Sequence, residues 1–142
     1  MPTTLHAHLD QNGVSTTKAT VRSHTVFVDR PTAKGGADRG PAGGEYLLVG
    51  LGGCFSSHLL AAIRAREAAI SNVRVDVTGT LDGMPERFTN FDVAVSATCS
   101  DLEQLQKLVR VAERACQVIS TLKLAAPVHV TVTHEQPVTQ AS

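Results

Sequence analysis

Cys54, His58 and Cys116 are the side chains in this sequence best suited to chemistry. Cys54 and His58 are four residues apart, so a helix would place both on one face, where His58 could accept or share the thiol proton. Cys116 falls on the apolar stripe of a second predicted helix. A thiolate cleaves a peroxide by attacking one oxygen, and a second thiol then condenses with the sulfenate to form a disulfide. Two cysteines on facing helices would permit this chemistry.

The same residues allow other interpretations. Both cysteines could be small buried hydrophobic residues, and His58 could be a packed histidine or one at a dimer contact. Glu45, at the start of the predicted helix, favours the helix dipole there unless a cation approaches it. A zinc ion could be bound by Cys54 and His58 with Cys99, Cys116 or Glu45, but no CxxC or HxxxH pair supports a metal site. A single Cys/His pair on an apolar stripe is more often packed core, and this stays an alternative to the redox interpretation.

The glycines just before Cys54 do not form a nucleotide-binding loop. In the stretch VGLGGCFSSHLL, Phe55 stands where a GxGxxG pattern needs glycine, and the sequence contains no GK[ST]. No GxSxG is present either, which removes the support for a serine hydrolase. Each glycine costs a helix about 1 kcal/mol relative to alanine. We therefore expect these glycines to let another helix or a peroxide approach the backbone at Cys54.

The N-terminal half predicts a hairpin, a loop and a long helix. Thr3–Leu9 and Thr16–Val28 are rich in β-branched residues and are separated by turn residues, which together predict a hairpin over about 3–28. The Gly- and Pro-rich segment at about 29–44 predicts a loop. The segment at about 45–67 predicts a helix with an apolar stripe of Leu47, Leu51, Cys54, His58 and Ala61, widened by Leu48, Phe55, Leu59 and Ile63. Apolar residues then cover most of its circumference, so we expect it to be deeply buried, with a subunit contact as one place for that burial.

The C-terminal half, about 73–134, predicts strands and a second helix. Alternating apolar residues predict strands around Val73–Val77 and Phe91–Ala97, with Cys99 on the core face, and a last strand at Val128–Val132. Ser100 to Glu103 fits a capping box, with Ser100 as the cap of a helix. The apolar stripe of that helix comprises Leu105, Val109, Ala112, Cys116 and Ile119. The element order predicts an α+β fold with helices on an antiparallel sheet.

Composition limits the class of protein. The 142 residues predict a single domain over 1–142, and 13 basic against 13 acidic side chains without a basic run give no sign of nucleic-acid binding. MPTTLHAHLDQ lacks the features of a secretory signal. The longest apolar stretch is interrupted by Ser56, Ser57, His58 and Arg64, so we expect it to be too polar and short for a membrane span. Three widely spaced cysteines indicate reduced thiols, and the protein is expected in the cytoplasm.

Two motifs resemble a known family. The segment HTVFVDRPTAKGGADRGPAGGEYLLVGLGGCF resembles the OsmC/Ohr segment that runs from a strand, through a GG-x-D-x-G-P loop, into a helix of the form E-L-L-L-A-A-L-G-x-C. AERACQVISTL resembles the second-cysteine helix of the same family. The resemblance extends from about His24 to Val132, with the elements in the same order, and is closest to the general OsmC-like branch.

The resemblance implies a fold and an assembly. It implies an α+β, OsmC-like fold with antiparallel sheets and two long helices, one of them central and buried. It also implies an intertwined homodimer with active sites near the subunit contact. By the same resemblance, Cys54 is the peroxidatic cysteine and Cys116 the resolving cysteine, while Cys99 matches no functional position.

The sequence departs from the peroxidases of this family before and after the cysteines. Those peroxidases have a glutamate ten residues before the reactive cysteine, where this chain has Gly44; Glu45 lies nine before, as in the broader branch with the motif P-x-E-L. The proline of that motif is Gly43 here. Their glutamate pairs with an arginine of the N-terminal strands. That position is Gly13 here, so Arg22, Arg30 or Arg39 would have to replace it, and Arg22 and Arg39 are the leading candidates to assist with Glu45.

One further departure follows the second cysteine. Gln117 stands where the family usually has proline.

The family resemblance implies a thiol-dependent peroxidase that acts on organic hydroperoxides, with hydrogen peroxide as a further substrate. A dithiol such as a lipoyl protein or thioredoxin would restore the thiols, and neither a metal nor an organic cofactor is expected. The alternative is a non-enzymatic dimer that binds a small or lipid-like ligand in an apolar pocket, with cysteines that are idle or sense redox state. Gly44 favours the alternative, and two inward cysteines favour the enzyme.

Overall fold

The computed structural model of the chain describes residues 1–138. It contains strands β1 (His8–Gln11), β2 (Thr17–Val21), β3 (His24–Val28), β4 (Ser71–Asp82), β5 (Arg87–Thr98) and β6 (Val128–Glu135), and helices α1 (Gly43–Ala65), α2 (Leu102–Ala115) and α3 (Gln117–Leu122). The chain groups into two compact units, Met1–Leu47 and the part that begins at Leu48. The single domain expected over 1–142 stays a prediction, and residues 139–142 lie outside the described residues.

The first unit is built on an antiparallel sheet in the order β1-β2-β3. β1 starts at His8 and not at Thr3, and the strand predicted over Thr16–Val28 is divided into two by a turn at Arg22 and Ser23. Arg22 adopts φ 54°, a conformation that non-glycine residues seldom take. The prediction was wrong at this point because the turn contains neither glycine nor proline, so nothing in the β-branched run indicates where it reverses.

The loop that follows β3 is ordered around the buried carboxylate of Asp29. The Thr16 hydroxyl donates to Oδ2 at 2.7 Å, the Arg39 backbone N–H donates to the same oxygen at 3.2 Å, and the Arg30 N–H donates to Oδ1 at 2.7 Å. Burial by itself would raise the pKa of Asp29, but hydrogen bonds from Thr16, Ser15 and these two backbone N–H groups outweigh it and hold that pKa well below its usual range. The predicted loop is therefore a fixed structure.

Helix α1 buries a narrower stripe than predicted. Its buried side chains are Leu51, Phe55, Leu59 and Ala62. Of the predicted stripe only Leu51 is buried, because apolar residues on nearly every side of α1 do not indicate which face packs inward. The deep burial expected for the rest of α1 would need a subunit contact, and it stays a prediction.

Gly52 lets α1 approach strand β4. A methyl group added at Gly52 would lie 2.9 Å from Val77 Cγ2, closer than ordinary packing permits. The neighbour of Gly52 within the chain is therefore a strand, because the valines of β4 present their side chains to α1. The close approach fixes α1 on the sheet immediately before Cys54. Nothing lies within 4 Å of a methyl group added at Gly50 or Gly53, so the approach of another helix or a peroxide there stays a prediction.

The length of α1 overturns one expectation about membranes. The helix has 23 residues, and a window of 18 of them has a mean hydropathy of 1.6, so by length and composition it could cross a membrane. Ser56, Ser57, His58 and Arg64 therefore do not exclude a span, contrary to the expectation from the sequence. A core helix of a soluble protein meets the same criterion, and the absence of a membrane partner stays a prediction.

The second unit contains the sheet β4-β5-β6, in which β5 is central. β4 and β5 form the predicted antiparallel hairpin, and the inward side chains of β5, from Phe91 to Ala97, are buried as expected. β6 pairs with β5 in parallel, which departs from the antiparallel sheet expected. The reason is that α2 and α3 form the crossover that a parallel pair requires, returning the chain to the end of the sheet from which β5 starts.

The predicted second helix is interrupted at Cys116. Cys116 has ψ 110°, so α2 ends before it and α3 starts after it. The apolar stripe from Leu105 to Ile119 is nonetheless buried as predicted. The cap of α2 is Asp101 and not Ser100, since the Asp101 carboxylate accepts from the Gln104 backbone N–H at 3.0 Å.

Candidate active site

Cys54 lies on α1 beside the buried stripe, in the turn between Leu51 and Phe55, whose side chains are both fully buried. Its own side chain is partly exposed. The packing of Leu51 and Phe55 therefore fixes the helix backbone at this point while it leaves the thiol open to solvent on one side. A small solute could reach the sulfur without the core having to open.

Cys116 lies at the break between α2 and α3 and is completely buried, with 0% exposure. The Ile119 backbone N–H donates to its sulfur at 3.4 Å. Burial raises the pKa of the Cys116 thiol; the Ile119 N–H opposes this, and the neighbouring Cys54 adds to it through a hydrogen bond and through charge. The structure therefore brings together the two cysteines that the sequence analysis selected, and it favours the protonated form of Cys116.

Gln117 connects Cys54 with His58. Its carboxamide oxygen Oε1 accepts from the Cys54 thiol, with Sγ at 3.2 Å, and lies 3.0 Å from His58 Nε2. A carboxamide oxygen carries no hydrogen, so the hydrogen in the second contact must come from His58 Nε2. One oxygen therefore accepts two hydrogen bonds from side chains on neighbouring turns of α1.

Gln117 was missed as a site residue by reasoning from the sequence. It was noted only as a departure at the position of a family proline. Its position directly after Cys116 places its backbone near that cysteine, but the direction of its side chain depends on how α1 and α3 pack, so the sequence carries no signal for the contact with Cys54. His58, by contrast, was expected near Cys54 from its spacing, and the shared contact with Gln117 agrees with that expectation.

Cys99 is separate from this cluster. It is buried, with 1% exposure, on the core face of the chain after β5, as predicted. Its sulfur lies 3.7 Å from the Asp101 carbonyl oxygen. Burial, and then the charge of Asp101, raise the pKa of this thiol, which leaves it poorly suited to nucleophilic attack. All three cysteines lie within the described residues, and each is free.

Glu45 and the candidate arginines have other partners in the first unit. Glu45 caps the start of α1, since its carboxylate accepts from the Ala42 backbone N–H at 2.9 Å. The Arg39 guanidinium lies 4.9 Å from the centre of the Phe27 ring and donates to the Asn12 carbonyl oxygen. Arg22 is an exposed residue in the β2–β3 turn. Among residues 1–138 no ion pair joins Glu45 to an arginine, so their predicted role in the chemistry stays a prediction.

The described part of the chain contains no group of three or more His, Cys, Asp or Glu side chains close enough to share a metal ion. The contacts of Cys54 and His58 are with an amide oxygen and not with further ligands. The zinc alternative considered from the sequence therefore gains no support from the geometry.

Comparisons with known proteins agree with the resemblance seen in the sequence. The family model described as OsmC-like protein matches residues 34–133. A search of curated proteins gave no match. Among solved structures, a hypothetical protein from Aquifex aeolicus VF5 superposes with a TM-score of 0.83 at 12% identity, over 96% of this chain and 100% of that chain.

Two further structures carry more informative names. An OsmC-like protein from Mycoplasma pneumoniae has a TM-score of 0.79 at 16% identity, over 96% of this chain and 99% of that chain. An organic hydroperoxide resistance protein from Elizabethkingia anophelis has a TM-score of 0.74 at 18% identity, over 95% of this chain and 99% of that chain. At these identities the structural likeness establishes the fold alone, and it confirms the α+β, OsmC-like fold that the sequence predicted.

Proposed function

We propose, since the chain belongs to the OsmC-like protein family, that it is a thiol-dependent peroxidase that reduces organic hydroperoxides and also accepts hydrogen peroxide. The observation that carries the proposal is that the partly exposed Cys54 donates a hydrogen bond to Gln117, the residue directly after the buried Cys116, which places the two cysteines near each other. The printed name of the Elizabethkingia anophelis structure, an organic hydroperoxide resistance protein, agrees with this substrate class.

The proposed reaction has two steps on the protein. The Cys54 thiolate attacks the outer oxygen of the hydroperoxide, an S–O bond forms as the O–O bond breaks, and the leaving alkoxide takes a proton to become an alcohol. Cys116 then attacks the Cys54 sulfenate, the S–S bond forms, and water leaves with the sulfenate oxygen. An external dithiol, such as a lipoyl protein or a thioredoxin-like protein, returns both cysteines to thiols.

The low exposure of Cys116 suits its proposed role. A buried, protonated thiol does not compete with Cys54 for peroxide, because the thiolate is the reactive form. It needs to react only once a sulfenate has formed next to it. Burial also keeps Cys99 from reacting with peroxide. Its hydrogen-bond contact is with the Asp101 carbonyl oxygen and not with another cysteine.

We propose that the active protein is a homodimer in the cytoplasm. Support for the dimer comes from the side of α1 opposite its buried stripe, where Val49 is 61% exposed and Leu60 is 50% exposed. Large apolar side chains that are open to water on one helix favour a covering partner. Support for the compartment comes from three free cysteines, since a reducing compartment keeps thiols available.

A second candidate is a dimer that binds a small or lipid-like ligand without turnover. A shallow, mainly apolar groove between α1 and β4 favours this function; it is lined by Leu48, Val49, Gly52, Gly53, Ser56, Val75 and Val77. The engagement of Glu45 in a helix cap also favours it, because the family's glutamate otherwise serves the reactive cysteine.

Turnover separates the two candidates. We expect reduced protein to consume cumene hydroperoxide over many cycles when dihydrolipoamide or thioredoxin with its reductase is supplied, and Cys54→Ser to abolish consumption. The matched control is Cys99→Ser, which should retain the wild-type rate if it folds, since Cys99 has no part in the reaction. The peroxidase proposal would be contradicted if Cys54→Ser consumed peroxide as fast as the wild type. It would also be contradicted if the wild type consumed none with dihydrolipoamide and none with thioredoxin and its reductase.

A further inference from the structure

We propose that Gln117 is a positioning residue for Cys54, held in place by His58, and that its carboxamide switches from accepting to donating when the thiol ionises. The inference rests on the proposed function only in taking Cys54 as the reacting thiol. Two contacts and one position carry it. Gln117 Oε1 lies 3.2 Å from Cys54 Sγ and 3.0 Å from His58 Nε2, and Gln117 directly follows the buried Cys116.

In the observed arrangement the Cys54 S–H donates to Oε1, and a carboxamide oxygen can only accept. A carboxamide, however, carries an N–H₂ group on its other side, and a half-turn about its terminal torsion exchanges the two. The same side chain can then donate an N–H to the thiolate, in a charge-assisted hydrogen bond that is stronger than the one it replaces.

His58 makes this exchange possible on the other side of the amide. In the observed arrangement His58 Nε2 donates to Oε1. After the half-turn the amide N–H₂ faces both Cys54 and His58, so His58 must present a bare Nε2 and carry its hydrogen on Nδ1. A neutral imidazole can do either, because its two tautomers are close in energy. The thiol proton leaves to solvent on the exposed side of Cys54, and no other group has to store it.

The position of Gln117 explains why an amide serves here. Because Gln117 starts α3 immediately after Cys116, its contact with Cys54 also keeps the backbone of Cys116 beside the reacting sulfur. Proline, the usual family residue at this position, has no side chain that could reach either partner with a hydrogen bond. Within residues 1–138, the titratable groups in contact with Cys54 or Gln117 are His58 and Cys116.

The test is the rate at which iodoacetamide modifies Cys54, followed by mass spectrometry of the peptide that contains it. At pH 8.0 we expect Gln117→Met to react about fivefold more slowly than the wild type, since the thiolate loses its donor. Gln117→Glu should react at least about tenfold more slowly, because a carboxylate can only accept and also repels the thiolate. At pH 10, where an ordinary thiol is ionised, the three rates should agree within about twofold.

Gln136 provides the matched control. It is an exposed glutamine that also contacts a histidine, with its Nε2 at 3.2 Å from His134 Nε2, but it touches no cysteine. In Gln136→Met and Gln136→Glu, iodoacetamide should modify Cys54 at the wild-type rate. A Gln117→Met variant that is folded by circular dichroism and reacts as fast as the wild type, or faster, at pH 8.0 would overturn the proposal, because the glutamine would then act only as an acceptor.

Variants of His58 test whether this side chain orients the Gln117 amide. His58→Leu should slow modification of Cys54 about twofold to threefold, because the amide loses the contact that orients it. His58→Gln keeps a side chain that can donate or accept, so its Cys54 should be modified at a rate within twofold of the wild type. A wild-type rate in His58→Leu would overturn the role of His58. Iodoacetamide requires no peroxide, so these results stand even if the protein proves to have no peroxidase turnover.

Discussion

Two polar clusters in this chain have opposite designs, one in each compact unit. Around Asp29 a buried carboxylate accepts from the Thr16 hydroxyl and from the backbone N–H groups of Arg30 and Arg39. Around Cys54 a partly exposed thiol shares a single amide oxygen of Gln117 with His58. In the first cluster both carboxylate oxygens accept hydrogen bonds, two of them from backbone N–H groups, whereas the second cluster depends on one side chain that is itself exposed.

The two clusters differ in how easily their hydrogen bonds can be rearranged. A buried charge with several fixed donors is costly to disturb, because any change leaves a donor or acceptor unpaired. Such a network holds a loop in one conformation. A thiol with one adjustable neighbour can change its protonation state and its bonding partner at little cost, which is what a nucleophile needs. This design suits the Asp29 cluster to a structural role, and it suits the Cys54 cluster to the chemistry that we propose.

The largest expected effect is at Cys116. Cys116→Ser should abolish the intramolecular disulfide completely, because serine cannot condense with a sulfenate. The Cys54 sulfenate should then persist and be trapped by dimedone, which mass spectrometry detects as an adduct on the Cys54 peptide. Wild-type protein treated with the same peroxide should give little adduct, and disulfide formation in the variant through Cys99 would contradict the separation of Cys99 from the site.

The reactivity of the two thiols in the cluster should differ strongly. Cys116 is buried and its pKa is raised by burial, so iodoacetamide at pH 8.0 should modify it at least about tenfold more slowly than Cys54. A raised pKa also has a consequence for stability. Above about pH 8.5 the unfolded thiol ionises while the folded one keeps its proton, so this contribution is full below that pH and is lost as pH rises through the folded pKa.

Chemical unfolding between pH 8 and 10 measures that loss. The wild type should lose more stability over this range than Cys116→Ser, which has no thiol to ionise at this position. Equal losses in the two proteins, or modification of Cys116 as fast as Cys54, would show that burial does not govern the Cys116 thiol.

Asp29→Asn should lower the melting temperature by roughly 3 to 6 °C. Whichever way the new amide is turned, its N–H₂ group faces a donor, either Arg30 N–H or the pair formed by the Thr16 hydroxyl and Arg39 N–H. The pKa of Asp29 is held low in the folded state, so its contribution is present above about pH 4 and is lost as pH falls through the folded pKa.

Melting curves at pH 7 and in the range below pH 4 check this prediction. The difference between the wild type and Asp29→Asn should be largest at pH 7 and should shrink in acid. Asp38→Asn is the matched control on the same loop. If the difference in melting temperature between the two proteins grew as the pH falls, the prediction that Asp29 stabilises the fold less in acid would be wrong.

The smallest expected effect sharpens the comparison at an exposed cap. Asp101→Ala should destabilise the protein by about 1 kcal/mol, because the Gln104 N–H loses its acceptor at the start of α2. Ser100→Ala, at the neighbouring residue that the sequence pattern favoured as the cap, should change stability by less than about 0.5 kcal/mol. Urea denaturation measures both, and a larger loss for Ser100→Ala would reverse the assignment of the cap.

Much of the fold follows from local patterns. The alternation from Phe91 to Ala97 and the stripe from Leu105 to Ile119 were both predictable, because burial on one face leaves a clear period in the sequence. Which face of α1 is buried was not predictable in the same way, since apolar residues occupy most of the surface of that helix. The break at Cys116 was also missed, because an apolar stripe continues across it without a glycine or proline to mark the end of α2.

The candidate site was predictable in its cysteines and in His58, but not in Gln117. Cys54 and Cys116 stood out through their residue type and through the family motifs around them. Gln117 did not, because a hydrogen bond between residues 63 positions apart depends on how α1 and α3 pack, which no local pattern contains. Two roles were expected for Glu45, one at the N-terminus of its helix and one near the chemistry, and its observed contact with the backbone at the start of its own helix agrees with the first.

The central claim is that Cys54 reacts with peroxide and Cys116 resolves it, while Cys99 stays inert. The most direct measurement treats fully reduced protein with one equivalent of cumene hydroperoxide, quenches with iodoacetamide under denaturing conditions, and maps every cysteine by mass spectrometry. The account predicts rapid loss of two thiols, a disulfide between Cys54 and Cys116, and a fully alkylated Cys99. Loss of Cys99 instead, or no loss of thiols, would contradict it.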